Sequence, residues 1–139
     1  MNLKFKKLTE TASSPVRHYA TDSGFDISSD ESILLPARSV VKVKTGLAFD
    51  IPISYELQVR PRSGLSSKGV IAIFGTVDQG YRDQVYVTLF NAGLKGYQVR
   101  TGDRIAQIVM QRIEPAALEE VSELSEADRG KNGHGSTGR

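Results

Sequence analysis

The chain is expected to be all-β, a sandwich or jelly roll built from many short strands. Three observations predict this class. Apolar residues recur with period two more often than with a helical period, β-branched runs are separated at near-regular spacing by Gly, Pro, Asp or Asn, and a helix is hard to place anywhere.

Along the chain, residues 32–35 form a first strand-like run, and then Val41 and Val43 alternate with Lys42 and Lys44. Leu57 and Val59 alternate with Glu56, Gln58 and Arg60. A further β-branched run covers residues 70–74. Val85, Val87 and Leu89 alternate with Tyr86, Thr88 and Phe90, and residues 97–100 and 104–113 complete the set. Only residues 116–127 carry helix formers. The preceding Pro115, β-branched Val121 and several serines limit any helix there to a turn or two.

With 139 residues, 39% of them hydrophobic, the chain is long enough to bury one core without metal or disulfide staples. It has no cysteine, which excludes thiol catalysis and cysteine zinc sites, and its two histidines, His18 and His134, argue against a histidine-rich metal centre. No apolar run approaches the roughly 20 residues that span a bilayer, so a cytoplasmic protein is expected, or one inside a host cell if the source is viral. A formal charge of +2, dispersed along the chain, does not make a nucleic-acid surface. Residues 114–128 are acidic without a Lys or Arg, and a basic tail follows. This contrast sets a division near Ser125, between a body of residues 1–124 and an arm of residues 125–139.

Four segments break the strand pattern with residues that packing does not demand. In residues 61–68, Arg62, Ser63 and Lys68 surround Gly64, a set suited to a triphosphate: Arg62 forks onto oxygens, Ser63 donates and Gly64 lets its N–H come close. The same letters also make a polar hairpin turn, and they lack the Walker spacing. In residues 75–85, Asp78 is placed to take a proton from water and Tyr81 to pack under a sugar, while a plain Asp-Gln-Gly-Tyr hairpin is the other reading. Asp22 and Asp26 flank a turn where either can hold a metal-bound water or simply close an Asx turn. Gln107, on an otherwise apolar run, either hydrogen-bonds a phosphate or a water or faces solvent.

The last eleven residues are glycine-rich and carry Arg129, His134, Ser136 and Thr137. Glycine loses the most backbone entropy on ordering, and no large apolar group offsets that loss. Such a tail is either a frayed terminus or a lid that orders on an anion and a planar base.

Together, residues 20–28 (ATDSGFDIS), 61–70 (PRSGLSSKGV), 75–85 (GTVDQGYRDQV), 102–110 (GDRIAQIVM) and 129–138 (RGKNGHGSTG) resemble, in order, the five motifs of the trimeric dUTP pyrophosphatase (dUTPase) family. The resemblance implies a jelly roll of the β-clip type with a flexible C-terminal arm. It implies a homotrimer with three active sites at subunit interfaces, the tail of one subunit closing over a neighbour's nucleotide. The reaction implied is dUTP plus water giving dUMP and pyrophosphate, with Mg2+ as cofactor, which keeps uracil out of DNA and supplies dUMP for dTTP synthesis. Asp78 would activate the attacking water and hold the sugar 3'-hydroxyl. Tyr81 would pack beneath deoxyribose, and the backbone of Gly75, Thr76 and Val77 would read uracil. Arg62, Ser63, Gly64 and Gln107 would contact phosphates or ordered water, and Asp26 would reach, through water, a Mg2+ held mainly by the triphosphate. Arg129 would pair with the γ-phosphate, His134 would stack on uracil, and Gly135, Ser136 and Thr137 would wrap the terminal phosphates.

Three features depart from the family pattern. His134 stands where phenylalanine is more usual, Asp83-Gln84 replaces Gly-Glu or Gly-Asn, and the loop of residues 66–75 is about one residue short. The related dCTP deaminases need a glutamate just after the hairpin aromatic. Arg82 and Asp83 stand there instead, so deamination is not expected.

Overall fold

Alternation decides which side of each strand faces inward. In the strand Tyr86–Asn91 (β9), Val87, Leu89 and Asn91 are buried between half-buried neighbours, and in Tyr55–Arg60 (β6), Leu57 and Val59 are the buried pair. The computed structural model describes residues 1–131 and 133. Among these the remaining strands are Lys4–Lys7 (β1), Phe25–Ser28 (β2), Ile33–Leu35 (β3), Val40–Lys44 (β4), Leu47–Asp50 (β5), Val70–Ala72 (β7), Gly75–Val77 (β8), Tyr97–Val99 (β10) and Arg104–Arg112 (β11). Among the described residues the single helix is one turn, Ser63–Ser66 (α1).

All strand pairings are antiparallel. Four strands make the sheet that positions the site, in the order β2-β11-β6-β8. Strands β4-β9-β7 make a second sheet, and β1-β5 and β10-β3 are two-stranded ribbons. Ile27, Leu35, Val43, Leu57, Leu89 and Ile108 are fully buried among them and form the core. One buried polar residue is fully engaged: Asn91 donates to the carbonyls of Leu35, Pro36 and Lys95 and accepts from the N–H of Gly93, so it ties the ends of β3 and β9 without an unmet group.

The all-β expectation holds. Four strands are not expected from sequence: β1, whose residues are all exposed; β2; β5, a continuous buried Leu-Ala-Phe run with no alternation; and β8, which lies in a segment that breaks the strand pattern. Residues 116–127 form no helix. Leu118, Val121 and Leu124 stay exposed there, so no packed face offsets the weak propensity. Among the described residues, regular structure ends at Arg112, ahead of the division expected near Ser125. The Ile113 N–H donates to the Ser54 carbonyl at 2.9 Å, and residues 114–131 are exposed.

Candidate active site

Strand β11 runs between β2 and β6, so Gln107 lies opposite Asp26 on one side and Arg60 on the other. Gly24 allows that closeness. A Cβ there would stand 2.7 Å from the Ile108 carbonyl oxygen and 2.9 Å from Gln107 Oε1, so the turn leading into β2 packs against β11 only without a side chain. Asp22 behaves as the turn residue, accepting from the Tyr19 N–H at 2.9 Å, whereas Asp26 belongs to the strand. Asp26 Oδ1 accepts from Arg62 Nε at 2.9 Å and Oδ2 from Arg104 Nη1 at 3.2 Å. Gln107 Nε2 donates to the Pro61 carbonyl at 3.0 Å, so it faces the Arg62 segment rather than open solvent. That segment is α1, not a hairpin turn: Arg62 caps it with its carbonyl, buried Leu65 anchors it, and Ser63 and Gly64 are left exposed on its outer side.

The second group of expected residues lies on the turn after β8. β8 is the edge of its sheet, so one side of its backbone N–H and C=O groups is unpaired by strands. Gly75, Thr76, Val77, Asp78, Tyr81 and Gln84 line a cleft of about 230 Å³ there. The Tyr81 N–H donates to the Asp78 carbonyl at 3.0 Å, and Tyr81 Oη donates to the Gln84 carbonyl at 2.9 Å, which fixes the half-exposed ring at both ends. Arg82 braces the turn from outside, donating to the Gln79 and Tyr81 carbonyls and to Asp50 Oδ1 at 2.7 Å. Ser54 N–H donates to Gln79 Oε1 at 3.1 Å. The departure at Asp83-Gln84 is accommodated: Asp83 Oδ1 accepts from the Gln84 N–H, and Gln84 Oε1 accepts from the Gly46 N–H at 2.9 Å. Asp78 is exposed, and no hydrogen bond or ion pair among the described residues engages its carboxylate.

The chain therefore brings Asp26, Arg62 and Gln107 together, and separately Gly75, Thr76, Val77, Asp78 and Tyr81, but it does not join the two groups. Val77 is level with Leu57 on β6, while Gln107 is level with Arg60. Asp78 thus stands about four residues, or about 13 Å, further along the strand direction, and Asp26 is three strand spacings, about 14 Å, across the sheet. Arg129 is exposed in a turn closed by the Gly130 N–H on the Ala127 carbonyl. His134, Gly135, Ser136 and Thr137 lie outside the described residues.

A cation held by this chain alone does not fit these residues. No three His, Asp or Glu residues among those described come together, and both oxygens of Asp26 accept from guanidinium groups. Two residues beside Asp26 had no role assigned from sequence, Arg104 and His18. Arg104 lies within the motif of residues 102–110, but His18 touches it across 86 positions, a contact with no local signal.

The family model for dUTPase matches residues 10–138 of the chain. The deoxyuridine 5'-triphosphate nucleotidohydrolase of Clostridioides difficile is 40% identical over 140 residues, covering 99% of this chain and 98% of its own. That of Wolinella succinogenes is 42% identical over 142 residues, covering 100% and 95%. Among solved structures, the Staphylococcus bacteriophage 80alpha dUTPase with dUPNHPP matches with a TM-score of 0.95 at 30% identity, over 99% of each chain. A mutant dUTPase of phage phi11 of S. aureus, whose structure reveals the coordination of a structural Mg(II) ion, matches with a TM-score of 0.86 at 27% identity, over 91% of this chain and 100% of its own.

Proposed function

The chain belongs to the dUTPase family, and from that premise we propose that it hydrolyses dUTP to dUMP and pyrophosphate through a water activated by Asp78. The observation that carries this reading is the placement of an unengaged carboxylate at a cleft walled by an edge strand and an anchored tyrosine. The open backbone edge of β8 supplies donors and acceptors for the rim of uracil, as a strand does for a base-pairing partner. Tyr81 cannot swing aside without losing its bond to the Gln84 carbonyl, so its ring packs under deoxyribose and excludes a 2'-hydroxyl. Asp78 takes the proton as water oxygen bonds to the α-phosphorus and the bridge to the β-phosphorus breaks, releasing pyrophosphate.

Charge neutralisation falls to the other group of residues. Arg62, Ser63, Gly64 and Gln107 face the phosphates, and Mg2+ enters as part of the substrate, chelated by the triphosphate. Each oxygen of Asp26 accepts one guanidinium bond and keeps a second lone pair, so Asp26 would still accept from a water carried by that ion. Because the two groups stand apart in one chain, the working site joins Asp78 of one subunit to Arg62 and Gln107 of another in a homotrimer. The tail residues Arg129, His134, Gly135, Ser136 and Thr137 close over the bound nucleotide.

Replacing Asp78→Asn tests the base directly. Binding of dUTP should stay within about threefold while turnover falls at least about 100-fold, read by calorimetry and by pyrophosphate release. Turnover that survives the change would mean another group activates the water.

A further inference from the structure

Thr45 is completely buried and does not line the cleft beside Asp78. Its hydroxyl is nonetheless committed to the hairpin that carries Asp78 and Tyr81: Oγ1 donates to the Val85 carbonyl at 2.5 Å and accepts from the Leu47 N–H at 3.3 Å. The Gly46 N–H donates to Gln84 Oε1 at 2.9 Å, and the Val85 N–H donates to the Leu47 carbonyl at 2.8 Å. Three successive residues, 45–47, thus grip residues 84 and 85 from the turn between β4 and β5.

That turn is itself pinned. Gly46 has a φ of +65°, and a Cβ there would stand 2.6 Å from Asp30 Oδ2 and 2.7 Å from the Ala12 Cβ, so the chain closes around it only as glycine. Thr9 Oγ1 donates to the same Asp30 oxygen at 2.6 Å, and the Leu8 N–H donates to the Gly46 carbonyl at 2.8 Å.

The gripped peptide is the one that anchors Tyr81. The Gln84 carbonyl and the Val85 N–H belong to a single planar unit, whose N–H is fixed by Leu47 and whose carbonyl takes the Tyr81 hydroxyl at 2.9 Å. The Gln84 side chain steadies this unit on one side and Thr45, through the Val85 carbonyl, on the other. The edge strand β8 is held differently, by its pairing with β6, so the grip of residues 45–47 bears on the tyrosine rather than on the strand that faces the base.

We propose that Thr45 and Gln84 are positioning residues for sugar selection: they hold the peptide between residues 84 and 85, and through it the Tyr81 ring, against the space that a 2'-hydroxyl would need. The proposal rests on the reading that dUTP is the substrate and that Tyr81 packs under its sugar. Exclusion by a ring requires that the ring not retreat, and a loosened anchor lets it tilt and admit ribose while the contacts to uracil stay as they are.

The test compares kcat/KM for dUTP, UTP and dCTP with Mg2+, beside a thermal melt of each preparation, in the full-length native protein and in Thr45→Val, Thr45→Ser, Gln84→Ala and Gln84→Glu. Thr45→Val and Gln84→Ala each remove about one hydrogen bond of restraint, so the dUTP-over-UTP ratio should fall about 3- to 10-fold and the dUTP-over-dCTP ratio should change less than about twofold. Thr45→Ser keeps the hydroxyl and Gln84→Glu keeps an acceptor oxygen, so both ratios should stay within about twofold of native. In a Tyr81→Phe background, which has no hydroxyl to anchor, neither Thr45→Val nor Gln84→Ala should move the sugar ratio further. A merely structural role would lower the three rates together and leave both ratios alone. A sugar ratio unchanged in either folded variant, equal falls in the two ratios, equal losses in the conservative variants, or an undiminished effect in the Tyr81→Phe background would each overturn the proposal. Should Thr45→Val fail to fold, the half-buried Gln84 carries the test alone. Native protein that turns over dUTP no better than UTP would instead sink the substrate reading, so the two failures are separable.

Discussion

Adding one methyl group at Gly64 separates what the fold needs from what the ligand needs. Gly64 lies in α1, and a Cβ built there meets no atom within 4 Å. The unliganded protein should therefore tolerate Gly64→Ala, and the loss of backbone freedom in the unfolded chain should raise stability by about 0.4 to 1 kcal/mol. For a chain of this size that is about 1 to 5 °C in Tm. The bound state should respond in the opposite direction. If a phosphate oxygen comes up to the Gly64 N–H, the methyl displaces it and one hydrogen bond to a charged group is lost, worth about 1.5 to 3 kcal/mol. That is about a 10- to 150-fold rise in KM. Initial rates of pyrophosphate release across dUTP concentration, beside a thermal melt of the same preparation, read both effects. An unchanged KM in a variant that melts at or above the native temperature would refute the placement of Gly64 at the phosphates.

Gly24→Ala should behave in the reverse way. Its Cβ would stand 2.7 Å from a backbone oxygen that cannot yield, so overpacking of about 1 to 3 kcal/mol should lower the melting temperature, and an unaltered midpoint would show that the turn repacks freely. Mixing chains tests assembly of the site. Asp78→Asn and Arg62→Ala chains, each inactive, should regain activity when co-assembled, up to about one native site in four for random mixing around a closed ring. Mixtures as inactive as their parents would place both residues in the same subunit's site.

The sequence carried the strands whose two faces differ. β4, β6 and β9 alternate because each has one side on the core, and they read directly as period two. β1 has no buried side, and β5 buries three successive residues, so neither has a period to read. α1 was hidden because Ser-Gly-Leu-Ser has poor helix propensity, and it forms because Leu65 is buried and the Arg62 carbonyl takes the N–H groups of Leu65 and Ser66. Among site residues, Asp78 and Tyr81 stand out within one short segment. The meeting of Asp26 with Arg62 spans 36 positions, and that of His18 with Arg104 spans 86, and only the pairing of β2 and β6 on β11 and the turn before β2 create them. The braces from Arg82 to Asp50 and from Gln84 to Gly46 were equally invisible for the same reason.

In the proposed reaction the edge of β8 and the anchored Tyr81 select dUTP for attack by an Asp78-activated water. Release of pyrophosphate from dUTP, dCTP, dTTP and UTP at equal concentration, compared as kcat/KM for the full-length protein with Mg2+, tests it most directly. dUTP should be preferred over each of the others by at least about 100-fold, because each rival leaves a buried polar group unmatched or brings an extra group against Tyr81 or the turn. Comparable turnover of any of the other three would contradict it.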